Sequence, residues 1–207
     1  MAVRDKGNTL DRIIRSAESE FSIKGFEGAN IENIARDAGV TKQLVYHYFR
    51  TKEQLYRATL ETVSEGMVIV EQAINLAENL PPREAVAGLV NAIIDDYILN
   101  PSYAALTLDQ ALHHGEHITA SSRFIPTMRA AIDQGFRPML EKGIKSGVFR
   151  PGLTPELTFW MIFHLATASF LNGKVISESS DIDVASEEGI DRWREATVDF
   201  VMHALAA

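Results

Sequence analysis

Cysteine is absent from all 207 residues. That excludes disulfides, thiolate metal sites and cysteine nucleophiles, and nothing points to an oxidising compartment. Aromatic residues make up only 8% of the chain, so wherever they crowd together the crowding needs a reason. No apolar run is long enough to span a bilayer: the longest, Leu157 to Leu171, is interrupted by His164. The start, MAVRDKGN, is polar and does not read as a signal peptide, so a cytoplasmic protein without membrane contact is the expectation. The net charge of −8 argues against a general nucleic-acid binder. That total conceals an asymmetry. Residues 1–60 hold 10 Lys+Arg against 8 Asp+Glu, whereas residues 61–207 hold 10 against 20. A slightly basic head on an acidic body suggests that only the head meets a polyanion.

Hydrophobic spacing is helical almost everywhere. Leu10, Ile13, Ile14, Ala17 and Phe21 mark a first helix, with Asn8 as its expected N-cap and Gly25 at its end. Ile31, Ile34, Ala35 and Ala38 mark a short second helix capped by Asn30 and closed by Gly39. Thr41 opens a third, and Thr51 with Gln54 reads as a capping box for a fourth. Leu55, Val63, Met67, Val70, Ile74 and Ala77 keep that fourth helix amphipathic for many turns.

Further helices follow Pro81-Pro82 and the NPS break at 100–102. A long one then carries Ile132, Phe136 and Ile144, with a kink expected at Pro138. Thr154-Pro155-Glu156 starts a helix that is apolar nearly all round, and such a helix must be covered on every side. SESSDIDVASEE, 177–188, reads as a mobile acidic connection to a last amphipathic helix through Trp193 and Phe200. The fold class is all-α, with about nine helices.

The aromatic crowding falls in VTKQLVYHYFRTKE, where Tyr46, His47, Tyr48 and Phe49 stand among Lys42, Arg50 and Lys52. In the twenty-residue window from Ile31 to Arg50, Ala35 is fifth, Gly39 ninth and Val45 fifteenth. Each has a mechanical task in a helix-turn-helix. A small residue lets the second helix cross closely, a glycine supplies positive φ in the turn, and an apolar residue seats the second helix on the first. The second helix of such a unit enters the major groove N-terminus first. Thr41, Lys42 and Gln43 therefore lie nearest the bases. Tyr46 and His47 reach phosphates, with Lys52 at the next helix start and Asn30 and Tyr48 as further candidates for DNA contact. Phe49 and part of Tyr48 lock the recognition helix into a small core.

With these residues in view, FSIKGFEGANIENIARDAGVTKQLVYHYFRTKEQLYRATLE resembles the DNA-binding domain of TetR-family bacterial regulators. The matching features are Phe21, Gly25-Phe26, Ile34-Ala35, Ala38-Gly39-Val40, Tyr46, Phe49, Lys52-Glu53 and Leu55. Two features depart from the family's pattern. Tyr46-His47-Tyr48-Phe49 replaces the common Y-x-H-F order. Glu32 places a carboxylate where the family often has a residue able to approach DNA.

The resemblance implies a DNA-binding head, residues 1–53, and a ligand-binding and dimerisation body, residues 54–207. It implies a homodimer on a palindromic operator, released by a small-molecule effector. Tyr103, His113, His117, Trp160, Phe163 and His164 are the candidate effector-lining residues. His113 and His117 have the i, i+4 spacing of a helical metal site, but Gly115 lies between them and no third ligand is evident. No metal or other cofactor is therefore assigned. The weaker alternatives are a metal-responsive or ligand-independent regulator and a helical histidine enzyme. Against the last, no GxSxG, phosphate loop or zincin motif occurs.

Overall fold

The computed structural model describes residues 2–66, 69–118 and 122–207, including all their side chains except those of 2–7, 66, 69 and 70. Among the described residues there are eleven α-helical segments and one π-helical turn, and no strand beyond an isolated bridge between Phe149 and Ala206. The nine expected helices account for these. Two of the segments, α4 (Lys52–Gly66) and α5 (Ile69–Asn79), correspond to the fourth expected helix. The continuity expected through Met67 lies outside the described residues, as does the side chain of Val70. The chain forms two compact units, one of residues 1–66 and 101–124 and one of residues 67–100 and 125–207.

The first unit holds α1 (Ala2–Gly28), α2 (Ile31–Asp37), α3 (Lys42–Tyr48), α4 and α7 (Ser102–Leu112). Helix α1 begins at Ala2, so Asn8 lies inside it and caps nothing. Arg4 and Lys6 are good helix formers, and one glycine at 7 does not stop a helix they continue. At its far end the helix breaks at Gly25, which takes φ 67°. The predicted stripe forms the core: Ile13, Ile14, Ala17 and Phe21 pack with Ile34, Ala35, Val45, Leu55 and Tyr56, and Leu106 of α7 joins them.

The second unit holds α5, α6 (Pro82–Leu99), α8 (Phe124–Ala130), a π turn (Ala131–Phe136), α9 (Arg137–Lys145), α10 (Pro155–Ser179) and α11 (Glu187–Leu205). The disturbance expected at Pro138 appears as the π turn before it, where Arg137 N–H donates to Ile132 O, five residues back. A proline lacks the donor for the regular ladder, and a wider turn absorbs the misfit. Helix α10 runs eight residues past Leu171, across a bend at Asn172.

The segment 177–188 is not the loose connection its composition suggested. Val184 is buried, its N–H donates to Ser177 Oγ (3.1 Å), and Ser186 caps α11 through Gly189 N–H (3.0 Å). One apolar anchor and short side chains that satisfy the local backbone outweigh acidic composition. Trp193 Nε1 donates to Leu165 O (3.1 Å), tying α11 to α10, and Arg194 pairs with Asp95 of α6 (2.6 Å).

Candidate DNA-binding surface

Local chemistry fixes the start of α2. Asn30 Oδ1 accepts from Glu32 N–H (2.8 Å), while Glu20 of α1 accepts from Asn30 N–H (3.1 Å) and Asn33 Nδ2 (3.0 Å). The turn to α3 depends on Gly39 at φ 66°, a conformation that a Cβ resists. Val40 N–H donates to Ala35 O (2.9 Å), and Thr41 Oγ1 accepts from Leu44 N–H (3.2 Å) to open α3. Val45, 1% exposed, seats α3 on the core.

This arrangement leaves Thr41, Lys42, Gln43, Tyr46 and His47 exposed, whereas Tyr48 and Phe49 are half-buried against the core. Five of the eight candidate DNA residues thus share α3 or its cap as exposed groups. Asn30 is exposed, with its side chain engaged as a cap. Lys52 is half-buried: its Nζ donates to Glu27 O (3.0 Å) and lies 5.0 Å from the centroid of the Phe26 ring. At the start of α4, Thr51 Oγ1 accepts from Gln54 N–H (3.1 Å), and Gln54 Oε1 reaches back to Arg50 N–H (3.0 Å).

One feature of the surface is invisible in linear spacing. Lys42 Nζ donates to Glu32 Oε1 at 2.7 Å, joining the starts of α2 and α3. Lys42, by hydrogen bond and charge, holds the Glu32 carboxyl below its usual range, and Glu32 raises the Lys42 ammonium in return.

A buried polar cluster braces the same unit from α7. Asp109 Oδ1 accepts from Phe26 N–H (3.0 Å), and Asp109 Oδ2 accepts from the hydroxyl of Tyr56, to which Gln110 Nε2 donates (2.7 Å). Burial first, and the bond to Asp109 second, push the Tyr56 phenol well above its ordinary range. A Cβ on Gly25 would stand 2.7 Å from Asp109 Oδ1, so close approach demands glycine there as much as φ does.

His113 and His117 belong to this cluster rather than to one continuous helix, because the chain turns at His114 (φ 51°) and Gly115 (φ 72°). Their rings lie 5.5 Å apart, and His117 packs on Phe26 (4.4 Å) and Tyr56 (5.0 Å). Burial, then the neighbouring His113, lowers the His117 pKa from its ordinary 6.5. Tyr103 is buried in the same unit. The remaining candidate effector residues stand together in the second unit: Trp160 lies 5.6 Å from Phe163 and 6.0 Å from His164 between ring centroids. Phe163 is buried and His164 exposed.

Comparison with known proteins agrees with this geometry. The family model for the tetracyclin repressor-like C-terminal domain matches residues 82–201, and that for bacterial regulatory proteins of the tetR family matches residues 13–59. The transcriptional repressor NicS of Pseudomonas putida is 27% identical, over 95% of this chain and 92% of its own. Two solved structures share the fold. The ketosteroid transcriptional regulator KstR2 of Mycobacterium tuberculosis aligns with TM-score 0.67 and 17% identity over 96% of this chain and 95% of its own. The transcriptional regulator FadR of Bacillus subtilis, solved with stearoyl-CoA, aligns with TM-score 0.66 and 18% identity over 94% and 98%. The capped α2–Gly39–α3 unit, the all-helical remainder and a family match over more than half the length lead to one conclusion: this chain belongs to the TetR family of bacterial transcriptional regulators.

Proposed function

We propose that this regulator represses transcription by binding a palindromic operator as a homodimer, and that a small molecule releases it. The observation that carries the DNA half is the capped α3 presenting Thr41, Lys42, Gln43, Tyr46 and His47 to solvent. With α3 in the major groove, Lys42 and Gln43 meet base edges, and Tyr46 and His47 meet phosphates. Asn30 and Lys52 flank that face, and Tyr48 chiefly holds α3 in place. Residues 1–53 serve as the head and 54–207 as the sensing and dimerising body. Helix α7 adds structural support to the first unit.

The dimer reading rests on the second unit. Leu157, Met161 and Val175 on α10 are 60, 64 and 67% exposed, and Phe200 on α11 is 61% exposed. Large apolar side chains at i, i+4 spacing on a helix whose other faces are covered call for a second copy of that surface. His164 stands on the same exposed side as Met161 and is a candidate interface residue.

The effector reading rests on the aromatic group Trp160, Phe163 and His164, with Tyr103, His113 and His117 as further candidates, and on the presence of an acyl-CoA in the FadR relative. The aromatic character of these residues favours a small, largely apolar effector. It releases DNA only by favouring one state over the other, and a coupling of about 1–3 kcal/mol weakens binding about 5–150-fold. The chain crosses between its units at 66–67, 100–101 and 124–125, so these three crossings are available to carry the change.

The test is selection of duplexes from a randomised library by the purified chain. Enrichment of an inverted repeat supports the reading, and no enriched sequence refutes it. A thermal-shift screen of metabolites, followed by operator binding with each hit, tests the effector. Stabilising ligands that leave operator affinity untouched would remove the sensor from the account.

A further inference from the structure

The Glu32–Lys42 pair joins the starts of α2 and α3, on the surface proposed above to meet DNA, yet half of it carries the charge that DNA repels. Both residues are exposed, Lys42 at 48% and Glu32 at 65% of their side chains. Neither stands on a loose support. Glu32 follows the Asn30 cap that Glu20 pins to α1, and Lys42 follows the Thr41 cap of α3. The donor and acceptor of the pair thus extend from two anchored helix starts and lie 2.7 Å apart.

We propose that Glu32 and Lys42 act as one unit that reads a single G·C pair in each operator half-site, and that Glu32 suppresses binding to DNA lacking that pair. The inference rests on the DNA-binding role proposed above. In the major groove a G·C pair offers the guanine acceptors O6 and N7 and, beside them, the cytosine N4 donor. Guanine O6 and cytosine N4 are themselves hydrogen-bond partners, about 2.9 Å apart. The spacing of the protein's donor and acceptor matches that of the base pair's acceptor and donor. Lys42 has three N–H donors, enough for O6, N7 and Glu32 together, and the carboxylate can accept from both Lys42 and cytosine N4. The ion pair need not break to read the base pair. An A·T pair places a thymine methyl beside its acceptor and gives the ammonium no adjacent O6 and N7. On such DNA the adenine N6 donor separates the acceptors N7 and O4, so the ammonium meets one acceptor instead of two while the carboxylate still faces phosphate charge. Glu32 then costs affinity, and it also occupies a lysine that would otherwise neutralise a phosphate.

The experiment compares the full-length wild type with Glu32→Ala and Lys42→Ala by selection from a randomised duplex library. Affinity for the selected operator and for random-sequence DNA is measured over a range of salt. The expected result is one G·C pair per half-site at which both variants lose about tenfold or more in preference, with the double variant losing no more than either single one. Glu32→Ala should also bind random DNA more tightly, with a salt dependence steeper by about 0.9 per subunit as the freed Lys42 finds a phosphate. Relaxation at different positions in the two variants overturns the proposal, as does unchanged affinity of Glu32→Ala for random DNA. A wild type that selects no sequence refutes the DNA-binding reading instead, and this proposal with it.

Discussion

The two units of this chain solve opposite problems. The first exposes polar groups along α3, and its modest apolar core is reinforced by directional polar bonds: Asp109 to Phe26 and Tyr56 inside the unit, and at its surface Glu20 to the start of α2 and the caps at Asn30, Thr41 and Thr51. The second has an interior of aliphatic and aromatic side chains, including Leu89, Ile93, Ile94, Phe136 and Phe159, all 0% exposed. It leaves Leu157, Met161, Val175 and Phe200 uncovered. Directional bonds order the surface proposed to read DNA, whereas the uncovered apolar surface is the one proposed to meet another copy. The contrast suggests a task for the buried Asp109 cluster: it supports the unit whose surface is proposed to read DNA.

The largest effects should show where the units are alike. Phe21 and Phe159 are fully buried cores of their respective units. Replacing either by alanine should cost about 3–5 kcal/mol in urea unfolding. A loss under about 1 kcal/mol at either site would mean that unit is not packed as described. Next comes association. Met161→Glu should weaken the dimer by about 3 kcal/mol, roughly a hundredfold, in sedimentation, because a carboxylate is buried without a partner. Ile23→Glu, at an equally exposed apolar side chain in the first unit, should leave association unchanged. Equal effects at both would erase the contrast.

A smaller loss, about 2 kcal/mol, is expected from Asp109→Ala, which strands the Tyr56 hydroxyl and Phe26 N–H. Thermal melting measures it, and operator affinity should fall with it. The smallest effect is pH dependence. The folded His117 is held below 6.5, mainly by burial, so folding favours the neutral ring. Its contribution is fully present above that ordinary value and is lost as pH falls through the lower folded value. Wild type should therefore lose more melting temperature than His117→Gln between about pH 7.5 and about pH 5. Parallel curves would remove His117 from the account.

Legibility in the sequence followed the range of the interactions. The α2–Gly39–α3 unit, its caps and its Val45 anchor involve neighbours within twenty residues, and spacing alone displayed them. The Asp109–Tyr56 bond spans 53 residues, and no periodicity announces such a partnership. Glu32 stood out for its charge, but its bond to Lys42 depends on how two helix starts converge. Composition misled at 177–188, where Val184 is a single buried residue in an acidic stretch. It also hid the early start of α1, since polar helix formers look the same in a helix as in a tail.

The most direct test of the central claim is sedimentation of the chain with its selected operator, alongside a footprint. The account predicts two chains per duplex and two protected half-sites on one face of the DNA, separated by whole helical turns of about 34–36 Å. Gln43→Ala should then relax preference at one or two base pairs within each half-site. One chain per duplex, or a footprint whose preferred bases are indifferent to both Gln43 and Lys42, would contradict it.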